Sequence, residues 1–472
     1  MKRSSDLMPA FSRTWFARLP VLLSVVLAMP FAAADPVPPA SQTISRGSNT
    51  PVELSAVAQL GRKMFFDPSL SRSGQLACAS CHSPEHAYGP PNDLAVQLGG
   101  PDMKRAGLRA VPSLRYLEHT PNFSIGPGTE FADIDPPASE DAPAAVAVPA
   151  GDIKVASVAK ADTNNAALAD AEANVPQGGL DWDGRANTLQ EQALGPLLDP
   201  NEMDNHSAGD FLERVKRAPY AEDIRKLFGA NIFDQPSLAV DEALFALVRF
   251  QSEDPSFHPY DSKYDAFLAG KAVLSDAEAR GLKLFEDPKK GNCSSCHIDK
   301  PSRDGLFRPA FTDYQFEAFG APRNRDIPAN RDPHYYDLGL CGPMRKDYTD
   351  AAPYCGLFKT PTLRNAAIRK VFFHNGVFHS LDDVMHFYVE RETNAAKWYP
   401  KLPNGEIDAY DDLPPEYKRN VDVADAPFDR KQGNEPALNN AEIADVIAFL
   451  NTLTDGYQID QFQAKTAPAT AR

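Results

Sequence analysis

The chain has 472 residues, 43% hydrophobic and 10% aromatic, enough for packed cores and longer than one core normally supports. Its formal net charge of -16 argues against nucleic acid and anionic membrane surfaces as partners, and favours a partner with a basic contact face. The 42 prolines favour short helices joined by long, rigid loops over a regular sheet.

Lys2, Arg3, Arg13 and Arg18 precede an apolar run from Leu19 to Phe31, which gives way to Ala32-Ala33-Ala34 before Asp35. A basic region, a short apolar core and a small-residue cleavage site describe a secretory signal peptide over 1–34. The run is short for a membrane span and is broken by Pro30, so a retained anchor is the weaker reading. Export to the periplasm is expected, with no later membrane span. A flexible leader is expected over 35–48 and a loose tail over 461–472.

From Leu54-Ser55 the chain runs through Gly61, Lys63, Phe65 and Asp67-Pro68 to Cys78-Ala79-Ser80-Cys81-His82. From Leu274-Ser275 it runs through Gly281, Lys283, Phe285 and Asp287-Pro288 to Cys293-Ser294-Ser295-Cys296-His297. These identities align without a gap until just after the proline, which points to a duplicated domain. Each copy opens with a helix. In the second, Ser275 and Glu278 form a capping box, Leu282 and Phe285 share a face, and Asp-Pro ends the helix. Each half closes with an amphipathic helix. One runs from Asp241 with Leu244, Leu247 and Val248 apolar; the other follows Asn440 with Ile443, Val446, Ile447, Leu450 and Leu453 at helical spacing.

The Cys-x-x-Cys-His pentads carry the chemistry. Two cysteines hold a c-type haem through thioethers, and the adjacent histidine supplies a nitrogen to the iron. Cys78, Cys81 and His82 are expected to bind one haem, and Cys293, Cys296 and His297 a second. A redox dithiol or half a zinc site is the competing reading of such cysteines. Two pentads, each with its histidine, make that reading weak. Cys341 and Cys355 lie close together in a Gly/Pro-rich stretch, where an oxidising compartment favours a local disulfide. The expected fold is mainly α, with two cytochrome c-like haem domains from an internal duplication, over 49–250 and 251–460. Long loops are expected, together with a low-complexity insertion at about 124–180, where the composition turns to Ala, Pro, Asp and Val.

Beyond that insertion, Trp182-Asp183-Gly184-Arg185-Ala186 leads through Leu189, Gln192 and Gly195-Pro196 to Pro200-Asn201-Glu202-Met203. A further block, Phe358-Lys359-Thr360-Pro361-Thr362-Leu363-Arg364-Asn365, leads to Phe373-His374-Asn375-Gly376. With both pentads, these blocks resemble the bacterial dihaem cytochrome c peroxidase family over nearly all of the chain after the signal segment. Some features resemble its MauG-like branch, which matures a tryptophan cofactor. The resemblance implies a peroxide site at the N-terminal haem, with Glu202 as distal acid/base and Gln192 in the same pocket. It further implies Pro196 packed near that haem and Trp182 relaying electrons between haems. A carboxyl over iron in a partly desolvated pocket suits proton transfer during O–O cleavage. Read without the resemblance, Glu202 is a helix N-terminal carboxylate and Trp182 a core aromatic.

Two departures sharpen this reading. Many family members carry a distal histidine on the N-terminal haem, before the stretch matching Arg109-Ala110-Val111-Pro112-Ser113. Here Gly99-Gly100-Pro101-Asp102-Met103-Lys104 has none, and neither His86 nor His119 is a persuasive substitute, so an open sixth site is expected. On the second haem, the family's sixth ligand falls at Tyr388 where classical peroxidases have methionine. Met385 is the rival and His386 a weaker one. Tyrosinate favours ferric and higher oxidation states, whereas methionine raises the potential. The resemblance also implies a calcium ion held by carbonyls near Arg369 and Val371, although the asparagine of that site falls at Ala110.

The implied function is reduction of hydrogen peroxide with electrons from a small c-type cytochrome or a copper protein. Two alternatives stand beside it: a MauG-like enzyme that oxidises Trp or Tyr of a protein substrate, and a non-catalytic dihaem electron-transfer or redox-sensing protein.

Overall fold

The computed structural model of the protein describes residues 53–127, 174–302 and 305–459. The expected signal segment, leader and tail lie outside these residues, as does the centre of the Ala/Pro-rich segment. Helices dominate the described residues, and their strands form only three short antiparallel pairs. No helix among them is long and apolar enough to cross a membrane.

Helix α1 (Ala56–Phe65) starts where the Ser55 side chain accepts from the Ala58 N–H, and it ends before Asp67-Pro68. One turn, α2 (Cys78–Cys81), carries the first pentad's cysteines. After the Ala/Pro-rich segment come α3 (Leu189–Leu198), α4 (Ala208–Arg217), α5 (Ala221–Phe228) and α6 (Pro236–Glu253). The last begins five residues before the expected Asp241, because Pro236 suits a first helical turn and Ala239 and Val240 are already buried. The later elements are α7 (Lys263–Leu268), α8 (Asp276–Glu286), α9 (Leu381–Glu390) and α10 (Asn440–Asn451). Helix α8 has the expected Ser275–Glu278 capping box, and α10 is capped in the same way by Asn439 and Glu442.

A glycine sets how closely the opening and closing helices pack. A Cβ at Gly61 would lie 1.8 Å from the Ala246 carbonyl oxygen of α6, and one at Gly281 would lie 2.0 Å from that of Asp445 on α10. Any side chain there would push the helices apart. Around α1 and α6 an apolar core runs from Leu60 to Phe257 in sequence; around α8 and α10 a second runs from Tyr264 to Leu453. A smaller aromatic cluster of Phe378, Phe387 and Tyr399 adjoins α9.

The short strands serve as ties. Strand β1 (Leu98–Gly99) pairs with β2 (Arg105–Ala106), and β5 (Phe316–Glu317) with β6 (Phe358–Lys359). The two ends of the segment expected as an insertion pair as β3 (Ser124–Pro127) and β4 (Asn174–Gln177), so those ends are paired backbone. Cys341 and Cys355 form a disulfide.

Candidate active site

The first pentad opens onto a cleft with two adjoining parts of about 590 and 800 Å³. Both parts are lined by Cys81, His82, Gln192, Pro196 and Glu202, and Cys78 lines one. Gln192 and Pro196 come from one face of α3, whose start is held by the Thr188–Glu191 capping box. Glu202 follows in a turn instead of opening a helix; the next helix starts at Ala208. Its N–H donates to the Asp199 carbonyl (3.0 Å), and its carbonyl accepts from the Gly100 N–H (2.8 Å). Glycine is needed behind this turn, because a Cβ at Gly99 would lie 2.3 Å from the Asn201 carbonyl oxygen. Burial, with Asp199 and Asp181 nearby, pushes the Glu202 carboxyl up to about 7 from 4.5, against the pull of Arg185.

The second pentad lines a larger cleft of about 1480 Å³. Leu381, Val384, Met385 and Tyr388 face it from one side of α9. Met385 belongs to the apolar core. Tyr388 lies among Phe319, Phe373 and Phe428, and its hydroxyl makes no hydrogen bond among the described residues. Burial and then the two pentad cysteines, which line the same cleft, raise its proton affinity. His386 points elsewhere, accepting or donating to Glu390 (3.1 Å), and does not line the cleft.

Both histidines have the tautomer a metal ligand requires. His82 Nδ1–H donates to the Tyr88 carbonyl (3.0 Å) and His297 Nδ1–H to that of Phe311 (3.0 Å), which leaves each Nε2 with a free lone pair. Burial lowers both imidazoles to about 4, so they are neutral at ordinary pH. The four pentad cysteines form no disulfide. Burial pushes Cys78, Cys81 and Cys293 up to about 12, and Cys296 upward too. Such thiols are not the low-pKa thiolates of a redox dithiol. Paired cysteines and a neutral histidine on the wall of a large cleft fit a covalently held haem at each pentad.

Trp182 lines the second cleft and one part of the first. Its indole N–H donates to the Ala110 carbonyl (2.8 Å), and its own carbonyl accepts from the Lys359 N–H (2.9 Å). Next to it, the buried Asp183 carboxylate accepts from Arg109 (2.8 Å) and Arg185 (2.9 Å), and Arg109 also forks onto Asp337. These ion pairs hold the backbone next to the indole.

A model of the di-haem cytochrome c peroxidase family matches residues 55–273. The diheme peroxidase BthA from Burkholderia thailandensis is 34% identical with a TM-score of 0.69, covering 89% of each chain. The chain belongs to the di-haem cytochrome c peroxidase family. The methylamine utilization protein MauG of Paracoccus denitrificans is 29% identical over 411 residues, covering 85% of this chain and 89% of that one. The cytochrome c551 peroxidase of Nitrosomonas europaea is 27% identical over 367 residues, covering 77% and 81%. As a member of this family the protein is a peroxidase-type oxidoreductase built for two c-type haems.

Among the described residues, His82 is the only histidine lining the first cleft. His86 bonds to Ser83, and His119 packs against Phe307. The residues expected for calcium do not fit that ion. The Val371 carbonyl accepts from Arg369 Nε (3.4 Å), the Val111 carbonyl accepts from Arg369 Nη2 (2.9 Å), and Ala110 brings no side-chain oxygen. A guanidinium stands where a metal was expected.

The structure also brings forward residues to which sequence reading gave no role. Asp181 lines the first cleft and lies 3.5 Å from the Gln192 amide nitrogen, and burial raises its pKa. Gln251 of α6 lines the same cleft with its amide oxygen unpartnered. In the second cleft, His374 stacks on Phe358 at 3.6 Å with Nε2 3.6 Å from the Asp412 carboxylate, and burial lowers Lys359 to about 8. His374 and Lys359 lie within the blocks that carry the family resemblance. Gln251 had no signal beyond helical periodicity.

Proposed function

We propose that this protein reduces hydrogen peroxide at the His82 side of the molecule and takes its electrons through the His297 side from a donor protein outside the cytoplasm. The observation that carries the reading is the Glu202 carboxyl, poised near neutrality on the wall of the cleft that His82 also lines. One peroxide, two protons and two electrons give two waters.

A haem bound at each pentad supplies an iron that takes an oxygen ligand and exchanges single electrons. The protein does the rest. His82 and His297, held by carbonyls, would supply the iron nitrogens, and the four cysteines would anchor the haems by thioethers. Glu202 takes the proton from the inner peroxide oxygen and returns it to the outer one, so that oxygen leaves as water rather than hydroxide. The Gln192 amide, next to Asp181, orients the bound peroxide. Pro196 shapes the wall beside it. Trp182, common to both clefts, is the electron relay. The absence of a second histidine from the described lining supports a first haem open at its sixth position. The two apolar cores correspond to two haem domains descended from one duplicated unit.

Tyr388 favours a second reading, in which a MauG-like enzyme uses peroxide to oxidise Trp or Tyr of a protein substrate. Its hydroxyl, without a hydrogen bond among the described residues, belongs to a side chain lining the same cleft as the second pentad, and would suit an anionic ligand better than Met385, which is embedded in the apolar core. Purified protein with two covalent haems should oxidise a reduced small c-type cytochrome when peroxide is added, at a rate proportional to enzyme. Turnover that is absent with cytochromes and copper proteins but present on an oxidisable protein would establish the second reading instead. Absence of both would leave a dihaem electron carrier and overturn the proposal.

A further inference from the structure

The segment from Arg109 to Pro112 runs between the two clefts. Ala110 takes the Trp182 indole on its carbonyl and donates its N–H to the His374 carbonyl (2.7 Å), while Pro112 lines the first cleft. Against this segment lies the guanidinium of Arg369. Nη2 donates to the Val111 carbonyl (2.9 Å), and Nε to the Val371 carbonyl (3.4 Å). Nη1 packs over Gly89, 3.2 Å from where a Cβ would stand. Gly89 follows Tyr88, whose carbonyl holds the His82 ring. One side chain therefore ties together the loop behind His82, the segment between the clefts, and the chain that follows the Phe358–Asn365 block.

Among the described residues Arg369 has no carboxylate partner, unlike the buried arginines 109, 323 and 364. Burial without an acid beside it lowers its pKa to about 10, so it still carries its charge. An unpaired cation held by carbonyls is costly. The proton affinity of His82 is lowered first by burial and also by this charge, against the carbonyls of Tyr88 and Pro112.

We propose that the Arg369 guanidinium is a cation built into the chain at the joint between the haem sites, bridging the Val371 carbonyl, which was expected to hold calcium, to that of Val111, and raising the reduction potential of the haem on His82. The inference rests on the two-haem reading. A fixed positive charge behind the axial histidine disfavours the ferric state relative to the ferrous, and being covalently part of the chain it makes the joint independent of calcium.

The test uses the full holoprotein, with two haems first counted as pyridine haemochromes so that the two-haem reading is settled separately. Treated with EGTA, the wild-type protein should retain no calcium by metal analysis, keep its haem spectrum, and give no heat on calcium titration. In spectroelectrochemistry, Arg369→Gln should lower the first midpoint by about 59 mV or more, a tenfold change in the one-electron equilibrium. Arg369→Lys should keep most of the wild-type value. Tight calcium binding by the wild-type protein would overturn the proposal, as would a first midpoint unmoved in Arg369→Gln. If Arg369→Gln does not fold, the calcium titration and the Arg369→Lys midpoint still decide.

Discussion

Replacing Glu202 by Gln keeps the shape of the first cleft and removes its proposed acid/base. Burial beside Asp199 and Asp181 raises this carboxyl from 4.5 to about 7, despite Arg185. Proton abstraction requires the carboxylate, so wild-type kcat/KM for peroxide should rise with pH and level off above about 7. Well below that value it should fall about tenfold per pH unit. Glu202→Gln should lose about 10²–10⁴-fold on the plateau and show no such limb. Its ratio to wild type should therefore narrow as the pH drops. Stability carries the opposite sign. A carboxyl with a raised folded pKa binds more protons folded than unfolded between 4.5 and 7, so wild-type stability falls as pH rises through that window. Above it the penalty is about 3 kcal/mol at most, and Glu202→Gln should melt higher there than wild type. Stopped-flow peroxide kinetics and thermal melts across pH measure both. A Glu202→Gln protein that keeps wild-type turnover, or that retains the limb near 7, would refute the reasoning.

Tyr388→Phe should change the spectrum of the second haem and raise its midpoint potential, while Met385→Leu should leave both unchanged and cost less than about 1.5 kcal/mol of stability. Optical spectra and potentiometry of the two variants distinguish the ligands. Gly281→Ala should destabilise by about 1–3 kcal/mol in denaturant unfolding, because its methyl would meet the Asp445 carbonyl oxygen at 2.0 Å. Gly195→Ala on α3, with nothing within 4 Å of the new methyl, should instead stabilise by up to about 1 kcal/mol.

The pentads, the helix caps and the glycine-bearing opening helices were legible in the sequence because the forces behind them act over a few residues. A thioether pair with its histidine spans five residues, and a capping box spans four. The start of α6 was misplaced by five residues because burial overrode the local start signal there. Glu202 was assigned only through the family resemblance, since a carboxylate after Asp-Pro-Asn reads locally as a helix start. Only the folded chain places it on a cleft with His82, and only the folded chain gives Trp182 a wall in both clefts. The Arg109–Asp337 fork joins residues 228 apart, and the Arg369–Val111 bond joins residues 258 apart. No periodicity encodes such pairings, because they depend on how long loops are routed between packed cores. The sequence by itself determined where the two pentads lie and which helices frame them. The tertiary structure decided which groups face those sites, and which cation stands between them, because desolvation and charge pairing are set by neighbours in space.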